Sequence, residues 1–154
     1  MRLSTTLTLA AGAAAIGILS SGILGAEPIR KDKDSEAMQG TWTIESLTLD
    51  GNKLPPEQLK NWRRIVERSH ATWKNGTETM IELDIKFDPS QKPMTLDSKI
   101  ATGEDKGKTL LAIYELKDDK LRVCFANLGK PRPTEFSSNP GSGQSLYTAK
   151  RVKS

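Results

Sequence analysis

A single cysteine, Cys124, rules out any internal disulfide. Set in the strand-like run LRVCFAN, it reads as a small buried hydrophobe rather than a reactive thiol. A single histidine, His70, leaves neither a His-based metal cluster nor two-histidine catalysis available. Charge of one sign is also lacking: 23 Lys and Arg against 19 Asp and Glu give a formal charge of only +4. The two signs are interleaved, as on a solvated surface, and no basic stripe suggests a nucleic-acid partner. Aromatic residues are few, with three Trp, two Tyr and three Phe.

Long apolar runs are absent except at the start of the chain. MRLSTTLTLAAGAAAIGILSSGILGAEP carries Arg2 and then no charge until Glu27, with Gly25 and Ala26 closing the apolar stretch. That is the layout of a secretory signal peptide, residues 1–26, and it implies export to a periplasmic or extracellular space. An uncleaved anchor helix is the alternative, since the run is long enough to cross a bilayer. Cleavage after Ala26 is the preferred reading, and it leaves no membrane span. Residues 27–37, EPIRKDKDSEA, are dominated by charge and read as a flexible leader. Residues 38–154 form the domain, long enough for one core.

Within that domain short strand-like runs alternate with turn signals. GTWTIESLTLDG slips phase between Trp42/Ile44 and Leu47/Leu49, which predicts a bulge. Pro56 and Glu57 suit the first turn of a short helix reaching about Trp62, followed by a strand. Asn75-Gly76 predicts a type I′ hairpin turn and also forms a glycosylation sequon, which the turn explains without a glycan. ETMIELDIKFD alternates with Ile81, Leu83, Ile85 and Phe87 on one face. MTLDSKIA, TLLAIYEL, LRVCFAN and SLYTAKRV complete the set. About eight strands joined by short links must be antiparallel neighbours, and closure into an up-and-down barrel leaves no exposed edge.

Gly40-Thr41-Trp42 in the first strand, with Lys150-Arg151 in the last, resembles the structural signature of lipocalins and their calycin relatives. The resemblance implies that Trp42 closes one barrel end while a basic side chain, Arg151, packs over its ring. A closer resemblance runs from about Met38 to Arg151, through MQGTWTIESLTLDGNKLP, KFDPSQKPMTLD, GEDKGKTLLAIYELKDDKLRVCFA, GKPRPTEFSS and LYTAKR. These blocks are similar to an uncharacterised lipocalin-like family abundant in planctomycete-type bacteria, often found behind an export signal. It implies an all-β, lipocalin-like barrel and no particular activity.

No catalytic constellation is visible, and the chain is read as a non-enzyme needing no cofactor and no metal. Gly103-x-x-x-Gly107-Lys108-Thr109 is one residue short of a phosphate-binding loop, and a strand follows where that loop needs a helix. Asp118-Asp119 belongs to a tight turn, Asp88 and Asp97 flank another, and Asp84 lies on a polar strand face. The barrel points instead to binding, with Ile81, Leu83, Ile85, Leu111, Ile113, Val123 and Phe125 as candidate lining residues. Core packing explains the same seven. A connected cavity above about 300 Å³ would favour a small apolar or amphipathic ligand. A filled barrel with an apolar outer patch would favour a module that recognises an envelope protein or polymer. A monomer is expected in either case.

GKPRPTEFSSNPGSG, residues 129–143, is a long and rigid link before the last strand. Pro131 and Pro133 hold their predecessors extended, and Phe136 is its only large apolar side chain. A structural strap is the preferred reading. The alternative places Lys130, Arg132, Glu135 and Phe136 at the barrel mouth.

Overall fold

The computed structural model describes residues 33–154. The predicted signal peptide lies outside the described residues, as do residues 27–32 of the leader. Among the described residues no helix is long and apolar enough to cross a membrane.

Alternating apolar and polar side chains give nine strands: β1 (Gly40–Leu49), β2 (Asn52–Lys53), β3 (Trp62–Glu67), β4 (His70–Asn75), β5 (Glu78–Asp88), β6 (Met94–Ile100), β7 (Thr109–Lys117), β8 (Lys120–Ala126) and β9 (Gln144–Arg151). Among the described residues two short helices accompany them, α1 (Lys33–Ala37) and α2 (Pro56–Leu59). Every pairing is antiparallel. β1 and β3 to β9 follow one another in chain order, and β1 pairs with β9 to close an eight-stranded up-and-down barrel. β2 is a two-residue spur on β1. Helix α2 starts at Pro56 and buries Leu59, so the short helix after the first strand is present.

The phase slip in β1 is a bulge between Ile44 and Ser46 that leaves Glu45 without a partner on β9. Its effect is to turn Trp42, Ile44 and Leu47 all into the core. A second bulge lies between β4 and β5, where Trp73 pairs with Ile81 but Lys74 pairs with Thr79, leaving Met80 extra. The hairpin there is one residue later than the sequence predicts. Asn75 pairs with Glu78, so Gly76 and Thr77 are the central residues, and only Gly76 has a positive φ, 63°. That is the pattern of a type II′ turn, which asks for glycine at its first central position alone.

One end of the barrel is closed by Trp42, fully buried, whose Nε1 donates to the Met38 carbonyl at 3.0 Å. The Arg151 guanidinium lies over the indole, its Cζ 4.4 Å from the ring centroid. Arg151 also donates to the carbonyls of Gln39 and Ala37 and to Asp119 Oδ1. A cation on an indole face with its donors used this way holds the strap of chain entering β1 against the barrel end. Lys33–Ala37, assigned to the charged leader from sequence, form a helical turn. The Tyr114 hydroxyl donates to Asp34 Oδ2 at 2.7 Å, and Met38 is fully buried. A buried methionine and an accepting carboxylate tie down a segment whose composition alone suggests solvent.

Residues 127–143 run over the outer wall of the barrel. Arg132 donates to the backbone carbonyls of Ala112 (2.7 Å) and Leu96 (3.3 Å) and to Asp97 Oδ1 (2.5 Å). Phe136 lies under the Arg122 guanidinium, with Cζ 4.1 Å from its ring centroid. Ser138 Oγ receives the Gly51 amide at 3.1 Å and donates to the Gln144 carbonyl at 2.7 Å. Gly51 must be glycine for this: φ is +85°, and a Cβ would sit 2.5 Å from Pro140 Cγ. The segment is a strap. Arg132→Ala is expected to lower unfolding free energy by about 1.5–3 kcal/mol, because two strand carbonyls lose a charged donor. Urea denaturation measures this, and a change below about 0.5 kcal/mol, typical of a neutral surface site, would contradict it.

Candidate functional site

The inward faces of the strands leave a cavity of about 260 Å³ at the end opposite Trp42. Aliphatic side chains form one part of its wall, among them Leu83, Leu96, Ala112 and Val123. Aromatic rings form another, joined edge to face: Trp62 to Trp73 at 6.1 Å and Trp73 to Tyr147 at 4.9 Å between centroids. Phe125 extends this wall, 6.4 Å from Tyr147. Leu49 and Met80 line the cavity while remaining 40% and 46% exposed, so the opening lies beside them. Met80 is there because the bulge adds it to β5.

Polar groups are few. Ser98 and Arg64 line the cavity and are buried, Arg64 to 1% exposure. β3 directs Trp62, Arg64 and Val66 inward, and Arg64 is in register with Trp42 on one side and Trp73 on the other. Its Nη1 has no hydrogen-bond partner among the described residues. Among the described residues no carboxylate lines the cavity and Arg64 makes no ion pair. Burial pushes the Tyr147 phenol above its ordinary pKa of 10.0, opposed by the charge of Arg64 nearby. Tyr147 therefore keeps its proton at neutral pH.

Of the seven residues expected to line the interior, Ile81, Leu83, Val123 and Phe125 do so. Ile85 faces inward but lies in the packed core rather than on the cavity wall. Leu111 and Ile113 require a correction. Leu110 and Ala112 line the cavity and Tyr114 joins the interior core, so their neighbours Leu111 and Ile113 face the outer wall. Ile113 pairs there with Cys124, whose Sγ lies 3.2 Å from the Ser137 carbonyl of the strap. Burial raises the Cys124 thiol above its ordinary 9.0, with the Glu135 charge acting in the same direction.

Arg132 and Phe136 bind the outer wall and do not line the mouth. The Lys130 stem lies against Gly143, where a Cβ would come within 3.3 Å of Lys130 Cγ. Gly40 takes a φ of +109° at the start of β1, facing the Arg151 guanidinium. Trp62, Arg64, Trp73, Ser98 and Tyr147 were not among the candidates. The inward phase of Trp62, Arg64 and Val66 was the one available signal, a charged residue on an otherwise apolar face.

Among the described residues no group of three or more His, Cys, Asp or Glu side chains is placed to hold a metal ion. His70 lies on the outside, its Nδ1 3.1 Å from Asp84 Oδ1 and its Nε2 3.6 Å from Glu82 Oε1. The hydrogen bond to Asp84 raises its pKa above the ordinary 6.5; desolvation is the next largest effect and opposes it, and Glu82 adds to the rise. The stabilisation is complete below 6.5 and lost as pH rises through the folded value. Wild-type stability is expected to fall slightly more than that of His70→Gln between about pH 6 and 8, measured by urea midpoints. Parallel pH profiles would contradict the pairing.

Compared with known proteins, the chain matches no family model, no curated protein and no solved structure.

Proposed function

We propose that this protein is an exported, lipocalin-like binding module that holds a small apolar or amphipathic ligand inside its barrel. The observation that carries the reading is the open apolar cavity of about 260 Å³. Close packing normally leaves few interior voids larger than a water molecule. The volume of about 260 Å³ falls short of the criterion of about 300 Å³ given above, at the foot of the range of about 300–1,000 Å³ usual for ligand pockets, so only a small molecule fits. A module for an envelope protein or polymer would call for a filled barrel. The signal-like residues 1–26 support a periplasmic or extracellular location, and the Trp42–Arg151 stack supports the lipocalin resemblance.

The test uses 1-octanol as a neutral probe and the fluorescence of Trp62 and Trp73, both on the cavity wall. Saturable binding to wild type is expected. Ala112→Phe, which fills the cavity from β7, should weaken it at least tenfold while the far-ultraviolet circular dichroism stays unchanged. Absence of binding to wild type, or equal binding to a folded Ala112→Phe, would overturn the reading.

A further inference from the structure

We infer that Arg64 is the head-group site of the cavity, holding the single negative charge of an amphipathic ligand, a carboxylate on a short apolar chain. The inference rests on the ligand-binding reading and specifies the chemistry of the occupant. Its starting point is an imbalance. Arg64 is 1% exposed, and among the described residues its Nη1 has no partner and the cavity wall it joins includes no carboxylate. Arginine cannot shed its proton to escape this situation, unlike a buried lysine or histidine. A guanidinium removed from water without a counter-charge is strongly unfavourable, so the empty barrel lacks one anionic group at this point.

The surroundings define that group. Among the described residues one cation lines the cavity, so one negative charge completes it; a dianionic phosphate ester would leave an excess charge buried. The two oxygens of a carboxylate also match the guanidinium fork bidentately. Tyr147, which stacks edge-on against the Trp73 that pairs with Arg64, supplies a phenol beside the same charge. The tail then runs along apolar wall toward Leu49 and Met80 at the opening. A tail of this kind gains roughly fourfold in affinity per added methylene until the cavity is full.

The experiment is calorimetric titration of delipidated protein at neutral pH with octanoate, octyl phosphate and 1-octanol. Wild type is expected to bind octanoate at least tenfold more tightly than 1-octanol or octyl phosphate. Arg64→Met should bind octanoate no better than 1-octanol, and Arg64→Lys should keep the preference for the anion. A second readout needs no variant: octanoate, and not 1-octanol, should shift the guanidinium ¹⁵N resonances of Arg64. Equal affinity of wild type for octanoate and 1-octanol would overturn the head-group assignment and leave the binding cavity standing. Tighter binding of octyl phosphate would overturn the single-charge argument. An anion preference that persists in Arg64→Met would place the anion elsewhere. Failure of all three probes to bind would instead remove the ligand-binding reading itself.

Discussion

Trp42→Ala is expected to cost about 3–5 kcal/mol of unfolding free energy, the range for removing a buried tryptophan. Three losses combine at this one position. The indole is fully buried at the closed end, so its removal leaves a void among Met38, Ile44 and Val66, which share the same core. The Met38 carbonyl loses the donor that holds it at 3.0 Å. The Arg151 guanidinium, stacked 4.4 Å above the ring, loses its apolar platform while its hydrogen bonds to Gln39 and Ala37 remain. Trp42→Phe keeps an aromatic face for Arg151 but not the N–H, and should recover more than half of the loss. Guanidinium chloride melts of the three proteins measure this. A Trp42→Ala loss below about 1 kcal/mol, the average effect of any substitution, would show that the closed end is not what holds the barrel together.

How legible the sequence is depends on how many faces of a strand are covered. In β5 one face meets the interior and the other meets water, so Ile81, Leu83 and Ile85 alternate with Glu82, Asp84 and Lys86, and the inward set can be read directly. In β7 the strap covers the outer face as the core covers the inner one. TLLAIY is then apolar on both sides, and nothing in it separates Leu110 and Ala112 from Leu111 and Ile113. A one-residue error in phase moves a whole set of side chains to the other face. The strap's position between the last two strands was legible, but not that Arg132 reaches the carbonyls of Leu96 and Ala112, since those partners are brought together only by the barrel.

Arg64 was hidden for a related reason. Arg63 and Arg64 are adjacent, and composition favours both in solvent; the strand sends one out and the other in. Its burial predicts that stability is given up at the cavity. Arg64→Met keeps much of the aliphatic stem against the wall and removes the unpartnered charge. The ligand-free variant is expected to be more stable than ligand-free wild type by about 1–4 kcal/mol, the range seen when buried ion pairs give way to apolar side chains of similar volume. Matched urea melts of delipidated proteins measure it. Destabilisation of 2 kcal/mol or more would mean that the guanidinium is satisfied within the empty barrel. A stabilising effect, together with lost anion preference, identifies a charge kept for recognition at the expense of the fold.

Native mass spectrometry of the protein isolated from its own cells, without detergent or delipidation, tests the central claim most directly. The binding account predicts one small molecule retained per chain, released on unfolding and missing from the Ala112→Phe protein prepared in the same way. A wild-type protein that carries only the mass of the bare chain would contradict it.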